Sequence, residues 1–386
     1  MRPASPAALA ALLLSTQVAA LPLDLSKIGD FFSSLPEKAG ELFGENPTTL
    51  VFDSAVYRMP DNPEKWITSL RSYTYISSPA TDVLFDTFQA FLKPFGVDVS
   101  PDAASEILQS RLPLFTSLGI SDETLRYTFG DCNGSDELGP SPLTGMVDQP
   151  AVLAECNDVK KTAIHFSGDD EVVKENLATA FMSPPTGWGV ISDIDDTIKV
   201  SHVLDKIRTV SKTFLEPLEP APGMADLYSD VSEKLDTSTF LYLSGSPFQL
   251  YPMLKTYLAD EGFPAGPIML QNMSIADPAA LVKLVTDDPM QYKLDSIDRF
   301  NSWYPGKTFL AVGDSGQRDS EVYGEAYRKF GGEWMGCIWI RQIEDEGANN
   351  TDTRFAEAFR DVPENKWRVF KDPAEMKEVD LAAGEC

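Results

Sequence analysis

The chain has 386 residues, 43% of them apolar, which gives room for two domains and at least one sizeable core. Its 32 Lys and Arg stand against 59 Asp and Glu, a net charge of −27. A field of that sign repels polyanions and removes nucleic acid from the expected partners.

The opening stretch "MRPASPAALAALLLSTQVAA" sets a basic Arg2 before an apolar run, Ala8–Leu14, and small residues at Val18 and Ala20. That is the pattern of a cleaved secretory signal over residues 1–20. It predicts a secreted protein, bound for the extracellular space, the cell wall or the vacuole. No later segment approaches the length of a membrane span, so no transmembrane segment is expected. Cys132, Cys156, Cys337 and Cys386 form an even set that allows three pairings in an oxidising compartment. The favoured pairing joins Cys132 to Cys156 and tethers the C-terminus through Cys337 and Cys386. Asn133-Gly-Ser, Asn272-Met-Ser and Asn349-Asn-Thr are acceptor triplets for N-glycosylation and so predict surface positions.

Residues 21–185 read as a region of mixed α/β character whose fold the pattern leaves open. Leu25, Ile28, Phe31, Phe32 and Leu35 recur at helical spacing. This amphipathic helix either docks on the domain, the favoured reading, or makes transient contact with a membrane surface. Downstream, "TLVFDSAVY" and "TAIHFSG" are strand-like, while "VLFDTFQAFLKPF" and "AASEILQSRLPLF" are helical.

The Pro/Gly-rich "MSPPTGWG", residues 182–189, marks a junction. From 186 to 386 short β-rich runs alternate with helical ones. Strands are expected at "WGVISDI", "TFLYLS", "GPIMLQ", "KTFLAVGDS" and "MGCIWIR", and helices at "MADLYSDVSEKL", "PFQLYPMLKTYL", "YKLDSIDRFNSWY" and "SEVYGEAYRKF". The alternation predicts an α/β domain with a Rossmann-like, mainly parallel sheet. Ligands of such sheets sit at the carboxyl ends of the strands.

"VISDIDDTIKVSH", residues 190–202, puts Asp193, Asp195 and Asp196 at one such strand end. Three crowded carboxylates repel one another, and withdrawing them from water is costly unless something compensates. A bound cation is the simplest compensation; a turn in which each Asp accepts from backbone amides is the alternative. An EF-hand fails, because its sixth position would be Ile198 instead of Gly and its twelfth Leu204 instead of Glu.

Three more features share this layout. Ser244 closes "FLYLS", Lys293 lies in "YKLDSIDRF", and "AVGDSGQRDSE" supplies Asp314 and Asp319, at spacings of 51, 49 and 21 residues from Asp193 to Asp314. With Asp-x-Asp-x-Thr, they resemble the haloacid dehalogenase-like phosphatase superfamily. "SDIDDTIKVS", "LSGSPFQLYPML" and "VGDSGQRDSEVY" further resemble the phosphatidate phosphatase catalytic domain of the fungal actin-patch phosphatase family, over about residues 186–372. The interval between Asp193 and Ser244 leaves room for only a small cap or none, and an open site suits a lipid headgroup or a phosphoprotein.

The resemblance implies a set of roles. Asp193 would be the nucleophile that forms an aspartyl-phosphate, and Asp195 the acid and then the base. Ser244 and Lys293 would hold the transferring phosphoryl group, with Thr197 and Gly245 completing the substrate-binding set. Mg2+ would be held by Asp193, Asp195 through its carbonyl, and Asp314, with Asp319 acting through water. Asp196 is expected to back the site, Ser246 to cap the next helix with Pro247 at its first position, and Gly313, Ser315 and Gly316 to allow close backbone approach. The implied reaction is hydrolysis of phosphatidate to diacylglycerol and phosphate. The alternatives are a secreted phosphatase of soluble or protein phosphomonoesters, or a non-catalytic module that binds phosphate or lipid. Serine hydrolysis at "GDSG" is disfavoured because neither histidine, His165 or His202, follows it and Gln317 replaces the next glycine.

Overall fold

The computed structural model describes residues 47–77, 103–111, 113–115, 117–156, 160–167, 177–236, 239–272 and 288–386. The signal stretch, the amphipathic helix around Leu25–Leu35 and the helical "VLFDTFQAFLKPF" lie outside the described residues.

The N-terminal region contributes β1 (Thr48–Val51), β2 (Ser54–Met59), β3 (Asn62–Ser77), α1 (Ala103–Arg111), β4 (Ser117–Gly119), β5 (Leu125–Phe129), β6 (Ser135–Leu138), β7 (Met146–Leu153), β8 (Lys161–Ser167) and β9 (Leu177–Met182). Its nine strands form one sheet in the order β1-β3-β2-β9-β8-β5-β6, with β4 and β7 also on β3. All pairs are antiparallel except β2 with β9. "LRYTF" and "KTAIHFS" bury every second residue, the period of a strand with one face on a core. The sheet curls until β6 meets β7. There Gln149 Nε2 donates to Glu137 O at 3.1 Å, Asn133 and Ala154 pair through their backbones, and a disulfide joins Cys132 to Cys156. The strand-like "TLVFDSAVY" is two strands, because the carboxylate of Asp53 leaves the ladder to accept from Thr179 N at 2.7 Å and Lys255 Nζ at 2.8 Å.

The second half runs β10 (Thr186–Ser192), α2 (Lys206–Phe214), α3 (Met224–Lys234), β11 (Phe240–Pro247), α4 (Tyr251–Asp260), β12 (Ile268–Gln271), α5 (Met290–Trp303), β13 (Gly306–Asp314), α6 (Asp319–Phe330), β14 (Met335–Arg341), α7 (Asp352–Ala358) and β15 (Trp367–Phe370). Six strands make a wholly parallel sheet, ordered β12-β11-β10-β13-β14-β15. Alternate strand residues point to opposite faces. Val190, Tyr242 and Val312 pack with Phe214, Leu227 and Leu254 from α2, α3 and α4. Ile191, Leu243 and Ala311 pack with Ile297, Val322 and Phe355 from α5, α6 and α7. Two covered faces explain the continuous apolar strand runs. The sequence reading did not anticipate α2 or β15; the signal for α2 is Asp205, whose carboxylate accepts from Ile207 N and Arg208 N at 3.1 Å.

Strand order reverses beside β10, with β11 and β12 to one side and β13 to β15 to the other. In open parallel sheets that switch point, at the carboxyl edge, is where ligands bind. The two sheets meet through Asp53: its main-chain N donates to Tyr251 Oη at 2.7 Å and its carboxylate pairs with Lys255. Phe52 packs against Tyr251 at 4.7 Å between ring centroids.

Both expected disulfides are present. Cys337 in β14 joins Cys386 across 49 residues, and Trp339 Nε1 donates to Cys386 O at 3.3 Å. Loop-closure entropy at that length gives about 4 kcal/mol. Cys386→Ser is therefore expected to lower unfolding free energy by about that amount in urea titrations, and the unreduced protein to weigh four hydrogens less than the reduced one. Asn133, Asn272 and Asn349 are exposed, as acceptor triplets require. Among the described residues no helix is long and apolar enough to cross a membrane.

Candidate active site

β10 delivers the first carboxylate. The main-chain N of Asp193 still donates to Val312 O at 2.9 Å, and the chain then folds into a tight turn in which Ile198 N and Lys199 N both donate to Ile194 O at 3.0 Å. Asp196 sits inside it at φ +58°, a left-handed conformation that Asp tolerates better than most residues. Its carboxylate accepts from Ser201 N, His202 N and Val203 N at 2.7 to 2.8 Å. Asp196 thus organises the loop that follows the Asp-x-Asp-x-Thr motif.

Both oxygens of the buried Asp193 are fixed. Lys293 Nζ, from α5, donates to Oδ1 at 2.7 Å, and Thr197 Oγ1 donates to Oδ2 at 2.9 Å. Lys293 also donates to Gln317 Oε1 at 2.9 Å and Asp319 Oδ1 at 2.5 Å. Asp319 was expected to act through water; here it touches the lysine directly and also accepts from Asp314 N at 3.1 Å. Gly313 permits this approach, since a Cβ there would lie 2.5 Å from Asp319 Cβ.

Asp195 faces a different set. Lys199 Nζ lies 2.8 Å from Oδ1, Ser201 Oγ donates to Oδ1 at 2.8 Å, and Ser244 Oγ and Ser246 Oγ donate to Oδ2 at 2.7 and 3.0 Å. Ser246 is not a helix cap, because β11 runs on through Pro247, which pairs with Gln271. The sequence reading missed Lys199, Ser201 and Gln317. For Lys199 a signal existed, its four-residue spacing from Asp195.

Burial differs little among these acids, so their partners decide their ionisation. Burial first, then the charges of Asp319 and Asp195, push the carboxyl of Asp193 up to about 8 against the pull of Lys293. Asp314 is raised well above the ordinary range by burial, then by Asp319 and Asp193. For Asp195 burial also acts upward, but the Lys199 charge and the hydrogen bonds from Lys199, Ser244 and Ser201 outweigh it and hold the group well below the usual carboxylate range. Burial alone would depress Lys293; Asp193, Asp319 and Asp314 more than reverse that.

Asp193, Asp314 and Asp319 each offer an oxygen within 4.8 Å of the others. Asp314 Oδ1 accepts from Gly316 N and Gln317 N, at 2.6 and 2.9 Å, but its Oδ2 is buried without a hydrogen-bond partner. An orphaned carboxylate oxygen beside two more carboxylates fits a hard divalent cation. The carboxylate of Asp195 stands apart from that group, committed to Lys199 and the serines.

Beyond Asp195 a cleft of about 300 Å³ opens, lined in part by Gly245, Ser246, Lys206, Gln271 and Arg318. Gly245 is required in its wall, since a Cβ there would lie 2.5 Å from Pro289 Cβ. His165 lies in β8, remote in topology from this edge, and His202 is engaged by Asp345 at 2.7 Å and Arg208 at 2.9 Å. Ser315 Oγ accepts from Ile343 N at 3.0 Å, so the "GDSG" serine has a structural partner in place of a histidine base.

Residues 188–342 match the family model described as phosphatidate phosphatase APP1, catalytic domain. Phosphatidate phosphatase APP1 of Saccharomyces cerevisiae is 30% identical over 179 residues, 46% of this chain and 29% of that protein. An uncharacterized protein of Schizosaccharomyces pombe is 26% identical over 188 residues, 48% of this chain and 30% of its own length. The similarity thus spans less than a third of either curated relative. Among solved structures, a Bacteroides ovatus GH5 xyloglucanase aligns at 9% identity with a TM-score of 0.16, over 65% of this chain and 66% of its own, too low to bear on the fold. The matched segment contains Asp193, Asp195, Ser244, Lys293, Asp314 and Asp319, and it is similar to the catalytic domain that the sequence motifs resemble.

Proposed function

We propose that this chain is a secreted, Mg2+-dependent phosphatidate phosphatase that works through a phosphorylated Asp193. One observation carries the reading: at the switch point of the parallel sheet, Asp193 is held by both oxygens between Lys293 and Thr197 while its neighbour Asp195 opens onto the cleft. The similarity to an APP1-type catalytic domain supports phosphatidate as substrate, and two disulfides favour an oxidising compartment.

In this mechanism an Asp193 carboxylate oxygen attacks phosphorus and the bond from phosphorus to the diacylglycerol oxygen breaks. Asp195 gives its proton to that leaving oxygen. At rest Asp195 is ionised against Lys199, so the proton is gained as the substrate's negative charge arrives beside it and raises its pKa. Asp195 then takes a proton from water, whose oxygen attacks phosphorus and frees Asp193 and inorganic phosphate. Lys293 and Ser244 stabilise the charge on the phosphoryl oxygens. Mg2+ held by Asp193, Asp314 and Asp319 would add Lewis-acid stabilisation of the same oxygens.

The test is phosphate release from phosphatidate in mixed micelles against soluble phosphomonoesters, with phosphatidate preferred by at least about tenfold in kcat/KM. Exhaustive EDTA dialysis should stop turnover and Mg2+ restore it. In parallel, Mg2+ should raise the Tm of the wild type but not of Asp314→Asn. Full activity after dialysis, or an equal Tm rise in the variant, would remove the metal from this assignment.

A further inference from the structure

The cleft opens on the Asp195 side of the site. Asp195, Gly245 and Ser246 line it, whereas Asp193, Ser244, Lys293 and Asp314 lie buried behind. Because Asp195 is the residue that meets the leaving oxygen, the space beyond it receives the alcohol half of the substrate.

One wall is the loop and helix at Val203, Leu204, Lys206 and Thr209; the facing wall includes Asp288 and Arg318. The other described charges that line the cleft are matched. Arg318 Nη1 pairs with Asp288 Oδ2 at 3.1 Å, and Asp195 pairs with Lys199. Lys206 alone among the cleft's described cations has no carboxylate or other hydrogen-bond partner. Lys206 is exposed on the cleft wall, so its ammonium is free to meet a group that enters the cleft. Desolvation by the protein atoms around it lowers its pKa from the ordinary lysine value even though the side chain is exposed.

Its helix is fixed at both ends. Asp205 caps the N-terminus of α2. At the other end Arg111 of α1 reaches across from the N-terminal region and donates to Thr213 O at 2.6 Å, Glu216 O at 2.9 Å and Lys212 O at 3.3 Å. Phe115 meets Phe214 edge-on, with ring centroids 5.1 Å apart. The N-terminal region therefore braces the wall that presents Lys206.

We propose that Lys206 is the specificity-determining residue of the cleft, donating to an acyl-ester carbonyl on the alcohol half of the substrate and so favouring phosphate esters of acylated glycerol over simple alkyl phosphates. A neutral carbonyl suits the site better than a second anion, because the chain's net charge of −27 opposes one while the cleft's own carboxylates are already paired. Val203 and Leu204 on the same wall give the first acyl carbons an apolar surface. The inference rests on the phosphatidate phosphatase reading.

The experiment compares phosphatidate with hexadecyl phosphate, which has no ester carbonyl, in identical mixed micelles, for the wild type, Lys206→Met and Lys206→Arg. The wild type is expected to prefer phosphatidate. Lys206→Met should lose about tenfold in kcat/KM on phosphatidate, the worth of one hydrogen bond to a charged group, carried by KM. The preference over hexadecyl phosphate should fall by the same factor, and Lys206→Arg should recover most of it. An equal loss on both lipids, or no loss on either, overturns the inference while leaving the proposed function intact. A wild type that hydrolyses neither lipid removes both.

Discussion

Asp193→Asn is expected to lower phosphatidate turnover by at least about a thousandfold while the protein stays folded, with Tm within about 3 °C of wild type. The size of the loss follows from removing the proposed nucleophile outright: the amide could not form the acyl phosphate, and only binding and charge stabilisation would remain. Folding is spared for a reason specific to this site. The carboxyl of Asp193 is pushed up to about 8 by burial and by Asp319, so its charge is a burden on the fold near neutral pH. Lys293 keeps Asp319 and Gln317 when that charge is removed. Stopped reactions with labelled phosphatidate and a thermal melt on the same preparation check both halves. A variant retaining more than a few per cent of wild-type turnover would exclude Asp193 as the nucleophile.

How much of this is legible in the sequence depends on where the information is local. Strands such as "FLYLS" and "MGCIWIR" announce themselves because both faces are covered and nearly every residue is apolar, and the candidate acids stand out because they follow such runs directly. The curled sheet is another matter. β2 pairs with β9 across Ser54 and Ala180, and the two edges of β3 are shared among four strands. No local pattern encodes pairings at that separation, and half-polar strands resemble loops. Ser246 misleads for a related reason: Ser before Pro reads as a cap, and only the pairing of Pro247 with Gln271 keeps it on the strand and turned to Asp195. The four-residue spacing of Lys199 from Asp195 is a weak signal on its own, and only burial of the turn makes it the counter-charge of Asp195.

Lys293→Met should give the largest change in stability of any single substitution in the site. The ammonium is buried and serves as the shared partner of Asp193 and Asp319. Methionine has nearly its length but no charge, so the variant keeps the packing and leaves two buried carboxylates unpaired, at a cost of about 3–5 kcal/mol. In the proposed mechanism turnover should vanish as well, since the phosphoryl oxygens would lose their fixed cation. Two features separate this account from a simple packing defect. In EDTA the penalty should depend on pH with a definite sign. A carboxyl whose folded pKa is raised above its unfolded value, about 3.9 for Asp, stabilises the fold below that value and loses the contribution as pH rises through the folded pKa. For Asp193 that window already reaches about 8 with Lys293 present, and removing the lysine's lowering influence extends it upward. The Tm gap between variant and wild type should therefore widen as pH rises above about 8, whereas a packing defect would be indifferent to pH. Mg2+ should also return more Tm to the variant than to the wild type, because in the variant the ion replaces the charge that Lys293 supplies beside Asp193 and Asp319. A gap that is flat in pH and unmoved by Mg2+ would mean that Lys293 is held there for its hydrocarbon and not for its charge.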